Sequence, residues 1–250
     1  MFHPDGPTLL ELIRQALSST ERGYDLLAPK FDLTPFRTPD QVLLPMASAI
    51  GGPLSVDDAL DVMCGTGAAM RPLRPLCRRR VVGIDFSAGM LREAARCLAG
   101  APGTSRVELL RGDVLEMTFD SEFDVATCVG AFGHILERDQ PRLLGNVHRA
   151  LRPGGRFIFP AGEAPPVTSS WFWAAHAFNA AMRLRNGIKK PPFIMYDLTM
   201  LWPHVEASLD RAGFDVEAHR NLLPAPFDRM LLVVATKRAE RARRAVPSGA

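Results

Sequence analysis

From about Asp57 onward the chain alternates short apolar, β-branched runs with longer stretches whose apolar residues recur at helical spacing. Strands are expected near Asp57 to Met63, Arg80 to Asp85, Val107 to Arg111, Phe123 to Val129, Gly155 to Pro160, Phe214 to His219 and Met230 to Thr236. Helical patterns separate the first five: Ala68 to Cys77, Ala88 to Ala99, a short turn around Leu115 to Phe119, and Pro141 to Leu151. This rhythm predicts an α/β fold with a doubly wound, mostly parallel sheet of seven strands, right-handed crossovers and helices on both faces. The last two strands are joined by Asn221-Leu-Leu-Pro-Ala-Pro226, too short for a crossover helix, so an antiparallel C-terminal strand is expected.

Two segments fall outside the rhythm. Residues 1 to 50 carry helical patterns at Leu9 to Leu17 and Pro39 to Ile50, and are expected to form an N-terminal cover. Residues 161 to 205 are rich in aromatics and Pro, and read as a substrate lid inserted before the sixth strand. One domain over residues 1 to 236 is expected, followed by a basic, disordered tail at 237 to 250.

Composition changes little in this picture. The 250 residues are 47% apolar and 23% charged, a globular balance, and much of the net charge of +3 comes from the tail rather than from a basic face. Nucleic acid is therefore not an expected partner. Four cysteines, at 64, 77, 97 and 128, show neither CxxC pairing nor metal-ligand spacing, so no metal site and no disulfide framework is expected, and a reducing, cytoplasmic setting fits. No signal peptide, membrane span or membrane partner is expected.

The chemistry concentrates at Asp61-Val-Met-Cys-Gly65-Thr-Gly67. Glycines at a strand-to-helix turn allow unusual φ and close approach of a ligand to the backbone. Asp85 stands twenty residues after Gly65, at the end of the next strand, where an acid can accept hydrogen bonds from both hydroxyls of a ribose. An adenosine-containing ligand follows. Met70 stands where a dinucleotide fingerprint requires its third glycine, and no Gly-Lys-Ser/Thr of a phosphate loop follows.

The ordered motifs resemble those of the class I S-adenosylmethionine-dependent methyltransferases of small-molecule type, over roughly residues 20 to 236. Asp61 to Gly67 resembles their first motif, Gly83-Ile-Asp-Phe-Ser-Ala-Gly-Met-Leu91 the second, and Arg111-Gly-Asp-Val114 the third. Leu151-Arg-Pro-Gly-Gly155 and Ala212-Gly-Phe214 resemble the turns into the fifth and sixth strands, and Tyr24 to Asp32 the helix that covers the cofactor. The resemblance implies a Rossmann-like fold and S-adenosyl-L-methionine as cofactor. It implies cofactor-binding roles for Tyr24, Asp61, Met63, Gly65, Thr66, Gly67, Asp85, Phe86, Met90, Asp113, Val114, Val129 and Gly130. Asp61 would orient the amino group, Asp85 the ribose, and Asp113 with the Val114 amide the adenine edge. Val129 and Gly130 would lie under the sulfonium. Met63 departs from the family's usual glycine and adds bulk where the methionine portion of the cofactor is expected.

The expected activity is methyl transfer to the oxygen, nitrogen or carbon of a small apolar or aromatic acceptor. Much of that catalysis is positioning and desolvation, with a base needed where the acceptor must lose a proton. His134 is the first candidate base; His176, His204 and Glu163 stand behind it. Cys128-Val-Gly-Ala131 lacks the Asn/Asp-Pro-Pro-aromatic motif of enzymes that methylate exocyclic or amide nitrogens. The lid aromatics Trp171, Phe172, Trp173, Phe178, Met182, Phe193, Met195, Tyr196 and Trp202, with Arg183, Arg185, Lys189 and Lys190, are candidates to line the acceptor cavity or simply to pack the lid. The alternatives are a non-catalytic or regulatory protein that binds the same cofactor and, behind it, a nucleic-acid methyltransferase anchored by the tail.

Overall fold

The computed structural model describes residues 3–239. Seven strands form one sheet in the order β3-β2-β1-β4-β5-β7-β6. They are β1 (Val56–Val62), β2 (Cys77–Asp85), β3 (Arg106–Arg111), β4 (Phe123–Thr127), β5 (Leu151–Ala161), β6 (Phe214–His219) and β7 (Leu231–Lys237). β7 runs antiparallel to both β5 and β6, and the remaining neighbours pair parallel, as the sequence predicts. β1 lies between β2 and β4, so the order reverses there. A crevice at the C-terminal ends of β1 and β4 is where an open α/β sheet places its ligand.

The helices are α1 (Leu9–Ala16), α2 (Thr20–Leu27), α3 (Asp40–Ile50), α4 (Met70–Leu73), α5 (Ala88–Ala99), α6 (Gln140–Ala150), α7 (Ser170–Ile188) and α8 (His204–Arg211). Strand alternation divides the apolar residues into two layers. Leu60, Val62, Val82, Phe157 and Phe159 pack with α6 and α8, whereas Ala59, Val81, Val125 and Ile158 pack with α3, α4 and α5. The predicted helix at Ala68 to Cys77 is shorter than expected: α4 passes into a 3-10 turn at Arg74–Leu76, and β2 already begins at Cys77. Pro72 and Pro75 withhold backbone donors there, which shortens the helix. At the other end, Lys237 continues β7 and donates to the Leu151 carbonyl, and Arg238 pairs with Asp210 and Asp215. The ordered chain thus reaches past the predicted boundary at 236; residues 240–250 of the predicted tail lie outside the described residues.

The N-terminal cover is tied to the sheet rather than laid loosely over it. The Asp25 carboxylate of α2 accepts hydrogen bonds from the Ser87 hydroxyl and the Gly89 amide, both 2.7 Å, and so caps α5 from outside. Gly89 permits this approach, since a Cβ there would lie 2.8 Å from the Asp25 Cα.

At the opposite, N-terminal edge of the sheet, Asp58 is buried and ion-paired to Arg79, Arg80 and Arg152. Burial alone would raise its pKa, but the hydrogen bonds from Arg79 and Arg152 outweigh it and hold the carboxyl below its ordinary value. A folded-state pKa below the unfolded one gives stability that is complete above about pH 4 and is lost as pH falls through the folded pKa. Replacing Asp58 by Asn should therefore cost about 2 kcal/mol at neutral pH and flatten that acid limb, both measurable by denaturant unfolding across pH.

Candidate active site

The turn after β1 is held by its own acid. Met63, Gly65 and Gly67 have φ of 57°, 52° and 79°. A left-handed backbone at 63 is where glycine carries no steric cost, which accounts for the residue the resembled family prefers there; here Met63 accepts the strain. Its side chain is buried in the layer beneath β1 and β4 and also borders the crevice. Gly67 serves packing instead, because a Cβ would meet Leu98 of α5 at 3.0 Å. The two Asp85 carboxylate oxygens accept from the Gly65 amide at 2.9 Å and the Ser87 amide at 2.8 Å, which ties the glycine turn to the end of β2.

Asp61 and Asp85 are 2% and 6% exposed. Asp61 accepts from the Thr127 hydroxyl at 2.8 Å. Burial raises its carboxyl to about 7; the Thr127 hydroxyl opposes the rise and the nearby Asp85 charge adds to it. Asp85 is raised as well, by burial first, against the two amides that it accepts from. These carboxylates open into a crevice of about 700 Å³, its mouth included, whose wall contains no Lys or Arg.

Of the predicted cofactor residues, Tyr24, Asp61, Met63, Gly65, Thr66, Asp85, Phe86, Met90, Val129 and Gly130 line this crevice together, and His134 joins them. Gly67, Asp113 and Val114 do not. Asp113 is exposed and its carboxylate accepts from the Leu115 amide at 2.9 Å, which closes the turn after β3, while Val114 is buried in the core. Phe31, Phe36 and Thr38 also line the crevice and were not singled out by sequence. Their signal is two aromatics in the Pro-interrupted segment between α2 and α3. That segment is fixed to the turn by the Thr66 hydroxyl, which donates to Asp32 at 2.6 Å.

The ligand chemistry follows from this donor set. Buried acceptors without a cation suit a ligand that brings an ammonium and hydroxyl donors, and they oppose a pyrophosphate. The Gly65 amide, which a dinucleotide fold would offer to a phosphate, already donates to Asp85. Phe86 and Met90 supply an apolar flank beside Asp85 that suits an adenine. S-adenosylmethionine carries each of these groups, so the residues present fit it.

A second cavity of about 1320 Å³, open to solvent, shares Tyr24, Phe36, Thr38, Gly130 and His134 with the first. Beyond that common wall it is lined mainly by Val42, Phe132, Met195, Leu198, Met200 and Met230, with Arg37 and Asp197 its charged members. Of the lid aromatics, Tyr196 lines it; Phe193 is buried, and Trp171 and Trp173 are exposed. His176 and His204 border a separate cleft between α7 and α8, and Glu163 pairs with Arg220 at the surface.

His134 sits at the junction of the two cavities. Its Nδ1 lies 2.7 Å from the Ile194 carbonyl oxygen, which can only accept, so Nδ1 carries the proton. Its Nε2 is then an acceptor for the Tyr24 hydroxyl at 2.8 Å. Burial holds the imidazole below its ordinary pKa, and burial pushes the Tyr24 phenol upward. Phe193 stacks on Tyr24 with ring centroids 6.2 Å apart, and His134 meets it edge-on at 4.9 Å, which fixes the phenol between the cavities.

Known proteins can be set against this geometry. A family profile described as a methyltransferase domain matches residues 59–155. A demethylmenaquinone methyltransferase of Symbiobacterium thermophilum is 35% identical over 112 residues, which span 44% of this chain and 44% of that protein. A 2-phytyl-1,4-naphtoquinone methyltransferase of Nostoc is 31% identical over 199 residues, covering 75% of this chain and 81% of its own length. The fold of a DhpI–SAH complex superposes with a TM-score of 0.62 at 21% identity, over 92% of this chain and 99% of that one. With the seven-stranded sheet, the carboxylate-tied glycine turn and relatives matched along most of the chain, the protein belongs to the class I S-adenosylmethionine-dependent methyltransferases.

Proposed function

We propose that the protein methylates a small aromatic acceptor of hydroquinone type, using S-adenosylmethionine bound in the first cavity and the acceptor held in the second. The observation that carries this reading is the shared wall at Tyr24 and His134, which brings an apolar cavity against a carboxylate-lined one. The quinone substrates named for the relatives agree with the apolar lining. Four thiols without disulfide partners fit a reducing cytoplasm.

When bound, S-adenosylmethionine supplies a methyl group already activated on a sulfonium. Asp61 holds the ammonium, Asp85 the ribose hydroxyls, and Phe86 and Met90 flank the adenine. Gly130, whose φ is 69°, leaves the common wall without a side chain where the two ligands must meet. The acceptor hydroxyl donates to the Tyr24 oxygen while the Tyr24 proton moves to His134 Nε2, so the acceptor loses its proton without a free phenolate forming on Tyr24. That loss makes the hydroxyl oxygen, or the ring carbon conjugated with it, the nucleophile.

Replacing Tyr24 by Phe or His134 by Gln should each lower kcat about a hundredfold with little change in KM for S-adenosylmethionine. Because His134 must be neutral and its pKa is lowered, wild-type kcat should stay flat with falling pH until below about 6.5. Variants within threefold of wild type would rule out the relay. Asp85→Asn should weaken S-adenosylmethionine binding about thirtyfold, read by calorimetry. The acceptor class is tested by incubation with a reduced naphthoquinone and mass spectrometry: a mass gain of one methylene is expected, and cofactor binding without methylation of any quinol would overturn it.

A further inference from the structure

α7 has an inner face and an apolar outer face, and among the described residues only the inner one is packed. Its inner face presents Ala175, Asn179, Met182 and Asn186, all buried. Asn179 exchanges hydrogen bonds with both backbone groups of Asp197, and Asn186 does the same with Phe193, so this face holds the strip that walls the second cavity. The outer face carries Trp173, Ala177, Ala180, Ala181, Leu184 and Ile188, every one exposed. At the helical repeat these six fall within about 100° of arc, an unbroken apolar stripe over four turns. Trp173, Leu184 and Ile188 are 64%, 67% and 78% exposed, far beyond the scattered apolar side chains that surfaces ordinarily carry.

The stripe continues toward a second one. Arg185 of α7 donates to the carbonyls of Ala16 and Ser18, so the C-terminal end of α1 meets the last turns of α7. α1 is turned inside out for a surface helix: Leu9, Leu10, Ile13 and Leu17 face solvent, while Gln15 is buried and Glu11 is paired to Lys30.

Charge selects the occupant. Between Ala164 and Tyr196 there is no Asp or Glu, and Arg183, Arg185, Lys189 and Lys190 lie on α7 or directly after it. A second copy bound through the same face would bring two sets of these cations to one interface with no acidic residue of the segment to pair them. An anionic lipid surface meets both features, with the stripe entering the headgroup boundary and Lys189 and Lys190, exposed at the end of α7, facing the phosphates. We propose that α7, with α1 beside it, docks the protein in plane on anionic membranes. This goes beyond the expectation of no membrane partner, which rested on the lack of a span. No helix among the described residues is long and apolar enough to cross a bilayer, so the contact is peripheral. The docked helix is the one whose inner face holds the strip that walls the second cavity. The stripe and its cationic flank exist whatever that cavity holds, so vesicle binding can fail while methyl transfer stands.

The test is cosedimentation of the full chain with vesicles of phosphatidylcholine, with and without phosphatidylglycerol, alongside light scattering for mass. Wild type should partition onto the phosphatidylglycerol vesicles. Leu184→Glu with Ile188→Glu should lose about tenfold of that partition, and Lys189→Glu with Lys190→Glu should lose it on anionic vesicles alone. The tail is intact in every variant, so any loss arises at α7, and unchanged thermal unfolding confirms that the exposed substitutions leave the fold in place. Absence of wild-type partition, or equal partition of wild type and the α7 variants, would overturn the proposal. A wild-type dimer that Leu184→Glu with Ile188→Glu converts to monomer would do the same, since it assigns the face to a second copy.

Discussion

Two carboxylates that no cation of their own cavity neutralises govern the architecture around them. Asp61 and Asp85 are drawn out of water by the sheet above and the N-terminal cover beside them. Asp85 recovers part of that desolvation from the amides of Gly65 and Ser87, and in doing so it sets the glycine turn. Asp61 recovers less, since one hydroxyl is its partner, and its pKa rises accordingly. The crevice thus presents buried acceptors that suit an ammonium and hydroxyl donors. Family membership and this donor set lead independently to the same cofactor.

The N-terminal residues complete the enclosure. Asp25 caps α5 and Asp32 accepts from Thr66, so the cover is attached to the two elements that frame the cofactor crevice. Tyr24 lies between these attachments and is fixed by Phe193 and His134, the latter in turn oriented by Ile194. Residues from the cover, the β4 loop and the lid strip therefore converge on one phenol at the junction of the cavities. Movement of any of the three would alter its position.

Much of this could be read from the sequence because it is local. A glycine turn, an acid at its start and another twenty residues on follow from strand–turn–helix spacing, and the sheet follows from alternation. Asp113 shows the limit: its sequence context resembles an adenine contact, yet in the fold its carboxylate closes the following turn, a choice that depends on nearby backbone amides. Phe31 and Phe36 lack periodicity, so only the path of the chain brings them to the crevice. The lid aromatics carry no signal that separates inward from outward. α7 carries apolar residues on opposite sides, which spacing reads as core, whereas Asn179 and Asn186 turn their own face inward and leave Trp173, Leu184 and Ile188 outside.

On the proposed reading, the ammonium of S-adenosylmethionine completes the charge of Asp61. Calorimetry of cofactor binding at pH 7, in buffers of different ionisation enthalpy, tests it directly. With the Asp61 pKa at about 7 in the free protein, binding should release about half a proton per cofactor, and Asp61→Asn should abolish the release. Binding with no change in protonation, or with proton uptake, would contradict it.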